Sequence, residues 1–224
     1  MRLSPRLKAV LSFVEGRTLV DIGTDHGYIP IAACTDRGIE KAYACDINLG
    51  PLRMAYDNIK RHGLEHRIFI RCGFGFQAID TDDDIEDMCI VVSGIGGLNI
   101  TDILNDPALK KNHINRLVIQ PQKDTPLVRR TLHANGFEII DETMLVDSGI
   151  FYTIVVAEPK SEISTYTEAG YLLGKCLLDK GDQTLQAYVE LQLSKFKRST
   201  RGVPDKYMPI YKEALECLQQ LNGL

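Results

Sequence analysis

No apolar run in the 224 residues approaches the roughly 18–20 needed to span a bilayer, so no membrane association is expected. The opening residues, Met1-Arg2-Leu3-Ser4-Pro5-Arg6, lack the apolar stretch of a secretory signal. None of the cysteines (Cys34, Cys45, Cys72, Cys89, Cys176, Cys217) belongs to a CxxC pair, which argues against zinc or another structural metal. Several stand in apolar, strand-like runs where cysteine acts as a small hydrophobe. They read as free thiols of a cytoplasmic protein. The dinucleotide turn GxGxxG is missing too, which makes a nicotinamide dehydrogenase a weak choice. Positive charge is scarce: 26 Lys+Arg against 30 Asp+Glu leave a net charge of −4. Taken as a sum, that argues against a nucleic-acid binder.

What is present is a globular chain, with 44% hydrophobic residues to form a core. A first helix is expected over 4–15, capped by Ser4 and opened by Pro5. Short β-branched runs at 18–22, 41–47, 67–72, 88–93 and 116–120 then alternate with helical patterns at 29–37, 49–62, 98–104 and 126–135. That alternation predicts an α/β fold, a Rossmann-like parallel sheet with helices on both faces. Two further runs, 137–145 and 150–157, flank Asp147-Ser148-Gly149 and read as an antiparallel C-terminal hairpin. After Glu158-Pro159 the strand pattern stops. Helical spacing follows at 166–178, 185–198 and 206–221, with Gly202 and Pro204 turning the last two into a helical hairpin. The expected division is residues 1–159 as a ligand-binding domain and 160–224 as a small all-α, coiled-coil-like domain.

The first strand runs into Asp21-Ile22-Gly23-Thr24-Asp25-His26-Gly27-Tyr28. In open α/β sheets, ligands bind beyond the carboxyl ends of the strands. A pyrophosphate here would face Asp21 and Asp25, an unfavourable pairing. A cation is favoured, and S-adenosylmethionine carries both a sulfonium and an ammonium. The second strand ends in Asp46-Ile47, where an acid is placed to bind ribose hydroxyls. The third ends in Gly73-Phe74-Gly75, suited to an adenine slot or simply to a glycine-rich turn over core aromatics. The fourth delivers Ser93-Gly94-Ile95-Gly96-Gly97, where backbone must approach a ligand or adopt positive φ.

At these residues the sequence resembles the bacterial tRNA adenine-N1 methyltransferases that act on adenine-22. The resemblance rests on residues 3–7, 21–28, Asp46-Ile47-Asn48 with Gly50-Pro51-Leu52, residues 93–97, Gln120-Pro121-Gln122 and Gly149-Ile150-Phe151-Tyr152. It runs over the whole chain. It implies a class I methyltransferase domain that binds S-adenosylmethionine, and a helical domain that helps to hold tRNA. The sequence departs from the family at Phe74, where an acid is common, at Ile95, where Met is usual, and at Gln122, where Asn is expected.

On this reading the cofactor set is Asp21, Gly23, Thr24, Gly27, Asp46, Ile47, Gly73, Phe74, Gly75, Ser93 and Gly94. Adenine N1 has a free lone pair and its methylated product is cationic, so a carboxylate close by assists. Asp25 is the first candidate, with binding of the methionine ammonium or capping of a helix as its other readings. His26 and Tyr28 are candidates for positioning or stacking. Gly96, Gly97, Gln120 and Gln122 are placed to meet the base. N1 is hidden in a base pair, so the target must be unpaired or flipped. Backbone contacts are expected from Arg2, Arg6 and Lys8, and from Lys195, Lys197, Arg198 and Arg201 with Lys206. Competing readings are a methyltransferase for another RNA or a protein, and a non-catalytic RNA binder on this fold. Either a monomer or a weak homodimer is compatible with the sequence.

Overall fold

The computed structural model describes residues 2–78, 87–110, 114–197 and 205–223. The acidic segment with Asp80, Asp82, Asp83, Asp84 and Glu86 lies outside the described residues. So do Arg198 and Arg201, and the side chain of Lys197.

Helix α1 (Pro5–Ser12) starts as the sequence dictates: the Ser4 hydroxyl accepts the Leu7 amide and Pro5 occupies the first turn. It ends three residues early, because the Phe13 and Val14 amides turn back onto Val10 and Leu11 and Gly16 then adopts φ +105°. The sheet contains β1 (Thr18–Ile22), β2 (Lys41–Asp46), β3 (Ile68–Cys72), β4 (Met88–Ile95), β5 (Ile114–Pro121), β6 (Phe137–Asp147) and β7 (Ile150–Pro159). Their order is β3-β2-β1-β4-β5-β7-β6. The first five are parallel, and β7 runs antiparallel to both β5 and β6. This is the expected Rossmann-like sheet with its terminal hairpin.

All five residues of β1 are buried, as a central parallel strand covered on both faces must be. On one face Leu19 packs with α1, α2 (Tyr28–Asp36) and α3 (Leu49–Arg61), through Val10, Val14, Ile29 and Ile59. On the other, Val20 and Ile90 pack with α4 (Gly97–Leu104) and α5 (Thr125–Ala134), through Ile100, Ile103, Val128 and Leu132. The chain moves outward from β1 to β3, then returns to place β4 against β1. That reversal opens a crevice at the carboxyl ends of β1 and β4.

The C-terminal helices are α6 (Lys175–Asp179), α7 (Gln183–Lys197) and α8 (Met208–Leu221). They form a third core around Leu177, Leu185, Val189 and Leu218, which also takes in Met144 of β6 and, at its margin, Phe151 of β7. The expected single helix over 166–178 is replaced by a π-helical turn, Gly170–Gly174, leading into α6. The cause is Arg129 of α5. Its guanidinium donates to the Tyr171, Leu172 and Leu173 carbonyls and pairs with Glu142 of β6 at 2.6 Å. Both side chains are essentially buried, at 1% and 0% exposure. Gly174 turns over this pair at φ +103°, and a Cβ there would lie 2.7 Å from the Glu142 carboxylate.

Candidate active site

A cleft of about 480 Å3 opens at the carboxyl ends of β1 to β4. The turn after β1 contributes Asp21, Gly23, Thr24, Asp25, His26 and Tyr28. The ends of β2 and β3 add Asp46, Ile47, Asn48, Gly73, Phe74 and Gly75. Ser93, Gly94 and Ile95 come from β4, with Arg6, Asn99 and Gln122 at the margins. Most residues singled out from the sequence are therefore brought together.

Four of the residues expected to meet the donor or the base are not. Gly27 (φ +70°) lies outside the lining, and a Cβ there would meet Ala55 at 3.2 Å; it fits α2 against α3. Gly97 is buried beneath the turn after β5, where a Cβ would sit 2.5 Å from the Lys123 carbonyl oxygen. Gly96 stands beside it, facing the Lys123 side chain. Gln120 is 0% exposed. Its Oε1 accepts from Arg6 at 2.6 Å and from Ser93 at 3.3 Å, and its amide nitrogen donates to the Pro121 carbonyl.

Arg6 is likewise not on an outer track. Its guanidinium lies in the cleft, donating to Gln120 and Ser93 and resting 5.4 Å from the centre of the Tyr152 ring. Its own amide donates to Asp147 at the hairpin tip. Arg2 and Lys8 are exposed outside the cleft. Lys195 on α7 and Lys206 before α8 also lie outside it.

The cleft has an acidic floor. Asp21 is 4% exposed. Burial pushes its carboxyl up to about 7, with Thr24 opposing and the carboxylates of Asp46 and Asp25 adding to the rise. Asp46 is oriented by Asn48, whose backbone and side-chain N–H groups both donate to Oδ1 at 2.8 and 3.3 Å. Sequence reasoning passed over Asn48 as a site residue, although the Asp-x-Asn spacing is that of a local Asx turn.

Asp25 projects at the mouth, 70% exposed, from a left-handed backbone at φ +51°. Aspartate tolerates that conformation better than most side chains. His26 lies 3.5 Å from its carboxylate and stacks on Tyr28, with ring centres 5.1 Å apart and planes 15° from parallel. The His26 carbonyl accepts from Asn58 of α3, which fixes the turn. One cleft thus brings together an exposed carboxylate, a stacked histidine–tyrosine pair, a buried acid and a tethered guanidinium.

The pattern of the TrmK family, tRNA (adenine(22)-N(1))-methyltransferase, matches residues 19–222. The chain belongs to this family. It is a tRNA (adenine-N1) methyltransferase that uses S-adenosylmethionine. The tRNA (adenine(22)-N(1))-methyltransferase of Bacillus subtilis is 31% identical over 182 residues, covering 79% of this chain and 75% of that one. Among solved structures, a Streptococcus pneumoniae protein crystallised with S-adenosyl-L-methionine is similar at a TM-score of 0.83 and 27% identity, over 98% of this chain and 99% of that one. The crystal structure of the B. subtilis enzyme gives 0.73 and 26%, over 98% of each chain.

Proposed function

We propose that the cleft holds S-adenosylmethionine along β1, β2 and β3 and receives adenine-22 of tRNA at the mouth, between Asp25 and β4. The observation that carries this reading is the buried, uncompensated Asp21 beside Asp46, in a cleft large enough for a nucleoside. Such a floor fits a ligand with positive charge and two hydroxyls. Asp46 would take the ribose hydroxyls through Oδ2, and Phe74 with Ile47 would flank the donor's adenine. The turn is close-packed: Gly23 has φ +79°, and a Cβ there would lie 2.6 Å from the Ile95 side chain. Asp21 would face the ammonium and Arg6 the carboxylate of the methionine part. This assigns Arg6 to the donor, instead of to an RNA track.

When bound, S-adenosylmethionine supplies a sulfonium methyl group that accepts the N1 lone pair and leaves a neutral thioether. The chain's residues do the remainder. Tyr28 and His26 give the target base a flat surface. Asp25 lies within reach of the base edge and stabilises the positive charge that grows on the ring. It also accepts the exocyclic amine proton that the product becomes readier to lose. Gln120 and Ser93 keep Arg6 away from that charge. Gln122 faces the base from the end of β5. The helical part, 160–224, would hold the tRNA body with Lys195, Lys197, Arg198, Arg201 and Lys206, helped by Arg2 and Lys8.

The test is incubation with labelled S-adenosylmethionine and unmodified tRNA, followed by nucleoside digestion. 1-Methyladenosine is expected at position 22. Intact donor binding without that product overturns the reading. Asp25→Ala is expected to lower kcat about 100-fold or more with little loss of donor affinity. Loss of affinity alone would move Asp25 to the donor site.

A further inference from the structure

A second cavity, of about 220 Å3, lies between the sheet and the C-terminal helices, and Gln122 lines both it and the cleft. Its walls include Lys123 and Asp124 from the turn after β5, Phe151 of β7, Tyr188 of α7 and Tyr211 of α8. The Phe151 and Tyr188 rings meet edge to face with centres 5.5 Å apart. Both are only half-buried, so ring surface remains open to the cavity. Tyr211 is 6% exposed and its hydroxyl hydrogen-bonds with Tyr188, which holds that ring in place.

The chemistry of these walls selects among ligands. Aromatic surface suits a planar ring. A carboxylate on the wall is unfavourable for phosphate alone, whereas Lys123 and Asp124 together, with Arg129 of the same lining already held by Glu142, match a ring that has acceptors and an amine. The volume is less than half that of the cleft, room for one base and not for a second cofactor. Lys123 lies on the ridge between the cavities: its chain passes Gly96, where a Cβ would be 3.6 Å from Cε. Among the described residues it has no ion pair. Its ammonium is therefore available to a phosphodiester that crosses the ridge.

We propose that this cavity takes a second unpaired base of the substrate RNA, close in sequence to the adenine that enters the cleft. The inference rests on the reading of the cleft as the active site. The two cavities then act as a two-point clamp, and only an adenine with an unpaired neighbour at the right spacing is presented to Asp25. Stacking on Phe151 and Tyr188 holds the neighbour, and Lys123 neutralises the backbone between the two bases.

The test uses RNA substrates in which each nucleotide near the target is replaced in turn by an abasic one. In the wild type, one replacement is expected to raise KM about 10-fold or more, with S-adenosylhomocysteine affinity unchanged. In Tyr188→Leu and in Phe151→Leu, which keeps the apolar volume, intact RNA should already show the raised KM. The abasic replacement should then add little. Multiplying effects, or an absence of any KM change among the abasic substrates, would overturn the proposal. Failure of the wild type to methylate the intact RNA is a different result, and it removes the active-site reading itself.

Discussion

In the free protein Asp21 is a carboxyl group in a poor place for its charge. Its folded-state value of about 7 lies above the ordinary 3.8, so the native state retains a proton that the unfolded chain has released. Stability from this group is therefore full below about pH 4 and falls as pH rises towards 7. Asp21→Asn should raise the stability of the unliganded protein by roughly 2–4 kcal/mol at pH 8, measured by thermal unfolding, while weakening donor binding at least tenfold. Wild-type donor affinity should fall as pH drops below about 7, because a cationic ligand requires the charged carboxylate. Arg6→Ala should weaken binding of S-adenosylmethionine about tenfold or more and leave a decarboxylated analogue unaffected, by calorimetry. Much of this site was legible in the sequence, since Asp21, Gly23, Asp25 and Asp46 lie at the carboxyl ends of single strands or in the turns that follow them. The tether of Arg6 was not. Gln120 and Ser93 meet it across separations of 114 and 87 residues, which no local pattern encodes.

At the scale of elements, β1, β2 and α3 fall within a residue of the expected bounds, because burial and turn residues mark their ends. The segment 166–178 does not follow its own helical spacing. A guanidinium from α5 takes three of its carbonyls, and a glycine in left-handed backbone takes the turn. Tertiary contact overrode local preference there, and the Arg129–Glu142 pair that does so spans β6 and α5 out of sight of any periodicity. Removing Arg129 leaves Glu142 buried without its partner. Arg129→Met should therefore cost about 3–5 kcal/mol in denaturant unfolding, and a double variant with Glu142→Leu should recover much of that loss. A stability change below about 1 kcal/mol would show the pair to be incidental.

For the whole molecule, the sum of charges was a poor guide and their placement a better one. The net −4 includes acids that line a cleft for a cation, and basic residues gather elsewhere. Lys195→Glu with Lys206→Glu should weaken tRNA binding roughly tenfold at low salt, and by less as salt rises, without changing donor affinity. Equal weakening at all salt concentrations would mean that the helices contribute shape and not charge. The strand pattern does end at Pro159, yet Met144 and Phe151 of the hairpin share a core with the helices beyond it. The division of labour between the two parts is therefore not a division of packing.

The order in which the ribosome releases these parts has a consequence of its own. Arg6 precedes every strand of the sheet in the sequence, but its amide is held by Asp147 and its guanidinium rests on Tyr152. A nascent chain that ends before the hairpin has the glycines and acids of the cleft, and Ser93 and Gln120 for the guanidinium, but lacks Asp147 and Tyr152. The helix ahead of the sheet therefore gains its last contacts only once β6 and β7 have been made.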